Sequence, residues 1–161
     1  MTKLSEQDLV DCSRKYYNYG CDGGTMEKAF NYIHDIGINS ERDYPYTGIN
    51  GSKCVHNSSR FNLKLKSYVE IKEGDENDLQ AAVSTKGPIS VAIDASERGF
   101  RSYKGGVYAS STCSRMYLNH AILLVGIGST PQKNYIIKNS WGVSWGTAGY
   151  ALLARDGTNI C

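Results

Sequence analysis

The 161-residue chain carries 18 Lys and Arg against 16 Asp and Glu, for a formal charge of +2, and 40% of its residues are hydrophobic. That is enough for one sizeable core or two small ones. No basic run offers a nucleic-acid footprint, and the longest apolar run, Ala121 to Ile127, includes Gly126 and falls far short of the roughly 20 residues that span a bilayer, so neither a nucleic-acid partner nor membrane insertion is expected.

Five cysteines, Cys12, Cys21, Cys54, Cys113 and Cys161, make an odd count. None stands in a C-x-x-C pair and histidines number only three, so no zinc site is expected. The expected arrangement is two disulfides and one cysteine whose partner lies elsewhere, which implies an oxidising compartment. The sequon Asn57-Ser58-Ser59 points the same way and makes Asn57 a glycosylation candidate. The polar stretch at residues 1–20 has no apolar core of a signal peptide, so either the protein is not secreted or its beginning lies upstream of Met1.

Taken in chain order, Ser5-Glu6-Gln7-Asp8 has capping-box spacing and predicts a short helix ending near Cys12. Residues 13–24 read as a loop closing with Cys21-Asp22-Gly23-Gly24. Thr25 caps a clearer helix whose apolar stripe is Met26, Ala29, Phe30 and Ile33, with Gly37 as its stop. Residues 38–62 lack periodicity and read as a long ordered loop held by Cys54. From about residue 63 the pattern alternates: Leu63 and Leu65, continuing through Ser67, Val69 and Ile71, predict a half-buried strand. Asp75 opens a helix through Leu79, Ala82 and Val83 that Gly87-Pro88 ends. Strand patterns follow at Ile89 to Ile93, His120 to Val125, Tyr135 to Lys138 and Tyr150 to Ala154. Helices first and strands afterwards argue an α+β fold, with a boundary near residues 62–66.

Two segments carry chemistry. Leu118-Asn119-His120-Ala121 places a histidine at the start of an apolar strand, and Lys138-Asn139-Ser140-Trp141-Gly142 ends another in a polar cluster. An imidazole oriented by an amide oxygen and covered by an indole is a general-base arrangement. Taken alone, a strand histidine is more often a core residue, and an Asn-Ser-Trp-Gly string more often a turn. His34, beside Ile33, and His56, after Cys54, read as surface residues.

The two segments together, Asn119-His120-Ala121 with Val125-Gly126-Ile127-Gly128, and Tyr135 to Gly142 with Trp145-Gly146, resemble the histidine and asparagine boxes of papain-like cysteine proteases. Leu4 to Cys12 and Gly20-Cys21-Asp22-Gly23-Gly24 resemble the same family, in the family's order. Gly87 to Ala95 and Tyr103 to Tyr108 resemble its cathepsin L branch.

The resemblance implies a papain-like fold: a helical half, residues 1–64, and a β-barrel-like half, residues 65–161, with the active-site cleft between them. It implies a cysteine-type endopeptidase needing no cofactor. His120 would be the general base and acid, Asn139 its orienting partner, and Trp141 the shield of their hydrogen bond, with Trp145 lining the leaving-group side. Gly23 and Gly24 would pair with an extended substrate backbone. Met26, Ala92, Leu118 and Ala121, next to Asn119, would form an apolar pocket for the side chain two before the scissile bond. Implied disulfides are Cys12–Cys54 and Cys113–Cys161, with Cys21 pairing to a cysteine outside this chain. Implied partners are polypeptide substrates and, as inhibitors, a propeptide or cystatin-type proteins, in a lysosomal or extracellular setting.

The family's nucleophilic cysteine precedes an aromatic residue and lies roughly 130–150 residues before the histidine, which places it about 10–30 positions before Met1. No Cys-Trp or Cys-Tyr dipeptide occurs here, and Cys12 follows Asp11, whose charge opposes thiolate formation. The expectation is therefore a chain short at both ends, inactive as it stands and poorly folded alone. The alternative is a pseudo-protease that binds peptides or partner proteins without cutting.

Overall fold

The computed structural model describes residues 2–51 and 53–157. The chain divides into two compact units, Met1–Val69 and Glu70–Cys161.

In the first unit, helix α1 (Glu6–Cys12) starts where Ser5 accepts the Asp8 N–H at 2.9 Å. Only this half of the capping box forms. The Asp8 carboxylate is fully buried and instead accepts the Tyr32 hydroxyl at 2.8 Å, the Asn39 N–H at 2.8 Å and His56 Nδ1 at 2.9 Å. The Ser5 N–H is satisfied by the Asn39 carbonyl. Residues 13–24 tighten into two short 3-10 turns, Ser13–Tyr16 and Gly20–Asp22.

Helix α2 (Met26–Asp35) follows Thr25, whose side chain makes no cap hydrogen bond; the Thr25 N–H donates to Asn18 Oδ1 instead. Its most buried residues are Tyr32 and Ile33, whereas Met26, Ala29 and Phe30 are half-buried. Tyr32 falls outside the i, i+3, i+4, i+7 stripe that starts at Met26; Asp8 satisfies its hydroxyl and lets the ring into the core. Beyond α2, Gly37 adopts φ 102°, and a Cβ there would lie 2.0 Å from Asn62 Oδ1.

The loop at 38–62 is held at Cys54 as expected, by the Cys12–Cys54 disulfide, and its ends form a small antiparallel ladder, β1 (Ile38–Asn39) against β2 (Asn62–Leu63). Two expectations need correction here. Among the described residues no strand pairs with residues 64–71, so the predicted strand stops at Leu63, and Val69 is 88% exposed. His56 is not a surface residue: its side chain is 8% exposed, paired with Asp8, and edge-on to Tyr32. His34 is half-exposed beside Asp35, as expected.

In the second unit, Asp75 caps α3 (Glu76–Lys86) by accepting the Asp78 N–H, and Gly87 ends it. A five-stranded sheet follows in the order β3 (Ile89–Ile93), β5 (His120–Gly128), β6 (Asn134–Lys138), β7 (Tyr150–Ala154) and β4 (Val107–Tyr108). Only β4 and β7 run parallel. Helix α4 (Arg98–Arg101) and β4 are too short to leave a periodic signal in the sequence. Val83, Ile93, Phe100, Ile122, Leu124, Ile137 and Ala151 make a core under the sheet, and Phe100, Leu124 and Ile137 are each 1% exposed. Alternation explains which faces turn inward: Ile122 and Leu124 point to the core, whereas Ala121 is exposed.

Candidate active site

His120 opens β5 opposite Ile93 of β3, and Asn139 follows the last residue of β6. Because β5 and β6 are neighbouring antiparallel strands, the end of one lies beside the start of the other. The Asn139 N–H donates to the Gly149 carbonyl at 2.9 Å, which fixes the backbone. Asn139 is buried, and its Oδ1 accepts the Ser140 N–H at 2.8 Å. That contact orients the amide with its oxygen towards His120 Nε2, 2.8 Å away. An amide oxygen only accepts, so Nε2 carries the hydrogen. In the neutral ring Nδ1 is then left with a bare lone pair, able to take a proton.

An aromatic cluster backs this pair. The Trp141 ring lies 4.8 Å from the His120 ring, tilted by 31°. Trp145 meets Trp141 edge-on at 5.5 Å and is buried, with Nε1 donating to the Phe100 carbonyl. Phe100 touches both indoles. The turn carrying them needs glycine: Gly146 has φ 59°, and a Cβ there would lie 2.4 Å from the Tyr150 carbonyl oxygen.

A second network precedes His120 in the chain. The Asn119 amide donates to Asp94 Oδ1 at 2.7 Å and accepts the Ala95 N–H, while the Asn119 N–H donates to the Ile93 carbonyl. Asp94 also accepts the N–H groups of Ser114 and Ser96 at 2.8 Å and 3.0 Å. The Ser114 N–H foremost, then the Ser96 and Asn119 donors, hold the Asp94 carboxyl well below the usual carboxylate range. Asp94 thus ties the residue before the histidine to the turn at Ser114. The sequence offered no periodic signal for that role, although Asp94 stood inside a recognised segment.

The residues predicted for the site divide between the units. His120, Asn139, Trp141, Trp145 and Asn119 come together in the second. Ala92 and Ala121 are cross-strand partners there, and Leu118, ahead of Ala121 in the chain, is 42% exposed. Gly23, Gly24 and Met26 belong to the first unit. Gly23 has φ 113° and is exposed, and a Cβ on Gly24 would press on Asn18 at 2.3 Å. The Cys12–Cys54 pairing is present, and Cys21 is an exposed free thiol. The expected Cys113–Cys161 bond involves Cys161, which lies outside the described residues. Asn57 is exposed, its Oδ1 taking the Ser59 N–H. Among the described residues, no group of His, Cys, Asp and Glu is placed to hold a metal, and no helix is long and apolar enough to cross a membrane.

The sequence family described as papain family cysteine protease matches residues 1–161. The chain belongs to the papain family of cysteine proteases. It is 49% identical to a cathepsin L-like protein of Caenorhabditis elegans, covering 100% of this chain and 48% of that one. It is 50% identical to cathepsin K of Mus musculus over 98% of this chain and 48% of that one. Among solved structures, digestive procathepsin L 3 of the Tenebrio molitor larval midgut superposes with a TM-score of 0.94 at 46% identity, over 99% of this chain and 52% of that one. This member of the family therefore resembles its cathepsin L branch throughout, and it spans about half the length of the curated relatives it matches.

Proposed function

We propose that the whole protein is a cathepsin L-like endopeptidase in which His120 and Asn139 supply the base of a Cys-His-Asn mechanism. The observation that carries this reading is the 2.8 Å contact from His120 Nε2 to an Asn139 oxygen that is itself fixed by the Ser140 N–H. Nδ1 is then free to take the proton of a thiol, and the imidazolium so formed returns it to the leaving amine. Asn139 holds the ring in that tautomer, and Trp141 excludes water from the Nε2 bond. The nucleophilic thiol is assigned to residues outside these 161, in keeping with relatives about twice as long; the 161 residues alone are then inactive.

Polypeptides are the proposed substrates, with propeptide and cystatin-type proteins as inhibitors, in a lysosomal or extracellular compartment. The Cys12–Cys54 disulfide and the exposed sequon at Asn57 support such a compartment. Ala92, Leu118 and Ala121 bring no charge to the pocket proposed for the residue two before the scissile bond, so bulky apolar side chains are favoured there. Gly23 and Gly24 are proposed to pair with the substrate backbone.

The test is to treat the native protein from its source with an epoxide probe for cysteine proteases and map the labelled residue. Labelling of a cysteine next to an aromatic residue, lost in His120→Ala, is the expected result. A native protein that ignores the probe would instead be a binding module that keeps the fold without the chemistry.

A further inference from the structure

A pocket of about 660 Å³ in the second unit is lined by Ala95, Arg101, Asn119, His120 and Trp141. It lies apart from Ala92 and Ala121, whose side chains leave the opposite face of the β3–β5 pair from Ile93. Its only charged lining residue with a fixed charge is Arg101, which ends the short helix α4. The Arg101 Nε donates to the carbonyl of Ala95, another lining residue, at 3.3 Å. Its remaining donors have no partner among the described residues, and no carboxylate there lies within ion-pair distance of it. The nearby acids are committed elsewhere: Asp94 to Ser96, Ser114 and Asn119, and Glu97 to the Thr112 hydroxyl. An unpaired guanidinium fork beside the proposed general base is a ready partner for a carboxylate.

We infer that this pocket takes a carboxylate on the leaving-group side of a bound peptide, with Arg101 as the residue that selects it. The assignment to the leaving-group side rests on the protease reading above: the apolar Ala92 and Ala121 face serves the acyl side, so the face across His120 receives the departing piece. The carboxylate can be an acidic side chain in the first leaving residue or the terminal carboxylate of a short leaving peptide. Asn119 and Trp141 complete the lining and add no charge to it.

Binding of leaving-group peptides needs no nucleophile, so the inference can be tested apart from catalysis. Three dipeptides are titrated into the protein: Glu-Leu amide, Gln-Leu amide and Gln-Leu with a free terminal carboxylate. Occupancy is followed through the Trp141 indole N–H and His120 ring NMR signals. Glu-Leu amide or free-acid Gln-Leu is expected to bind about 3–10-fold more tightly than Gln-Leu amide, and which of the two does so identifies the source of the carboxylate. The advantage shrinks as salt is raised, disappears in Arg101→Gln, and passes to a Lys-Leu amide in Arg101→Glu. Equal binding of all three peptides, or an advantage that survives Arg101→Gln, overturns the inference. Epoxide labelling is read separately, so a labelled protein with no carboxylate preference removes this assignment and leaves the protease reading standing.

Discussion

At the scale of single residues, the decisive group is Asn139, because its oxygen is oriented twice, by Ser140 and by His120. Asn139→Ala removes the acceptor of the Nε2 hydrogen and frees the ring to adopt the other tautomer. In the active whole protein, kcat is expected to fall by about 10²-fold or more, the scale of a general-base contribution, with KM little changed. Steady-state kinetics on a peptide substrate check this. Asp94 makes a different prediction, on stability. Its folded-state pKa is depressed, so its contribution is fully present above the ordinary carboxylate range and is lost as pH falls through the lower folded value. Thermal midpoints between about pH 2 and 5 should therefore decline more steeply in the wild type than in Asp94→Asn. Parallel curves would remove Asp94 as an acid-sensitive anchor. His56 shows where residue-level reading fails: its sequence context is a polar loop, and only the fold brings it against the buried carboxylate of Asp8.

At the scale of elements, α1 is held from two directions. Cys12–Cys54 closes a separation of 42 residues; in the chain-entropy model that amounts to about 4 kcal/mol. Replacing both cysteines by serine should lower the unfolding free energy by about 2–4 kcal/mol in denaturant titrations. Asp8 accepts from Tyr32, Asn39 and His56, so Asp8→Ala strands three buried donors. A loss of about 3–5 kcal/mol is expected from an uncompensated site of that kind. The turn between β6 and β7 has its own requirement. Gly146→Ala forces a side chain at φ 59° against the Tyr150 carbonyl. It should cost at least about 1–3 kcal/mol, and the Trp141 and Trp145 fluorescence should report the disturbance.

At the scale of the whole molecule, the sequence made long, strongly patterned elements legible and short or context-dependent ones illegible. Strands β3 and β7 were predicted residue for residue, and α3 nearly so, because alternation and caps are local signals. Helix α4, strand β4 and the β1–β2 ladder span four residues or fewer, too few for a period to show. The stretch from Lys64 to Ile71 misled because alternation marks a strand only where a partner strand exists to pair with it. The His120–Asn139 pair was legible through its two flanking motifs, as was the indole cover. Arg101 and Asp94 were not, since their roles depend on which strand ends and turns meet in space.

The central claim is that Asn139 holds His120 with its hydrogen on Nε2, leaving Nδ1 as the base. Long-range 1H–15N correlation spectra of the imidazole rings, recorded with the His120 ring neutral, test this directly. The account predicts a protonated Nε2 and a bare Nδ1 in the wild type, with a mixture of tautomers in Asn139→Ala. A His120 ring protonated at Nδ1 in the wild type, or one indifferent to the loss of Asn139, would contradict it.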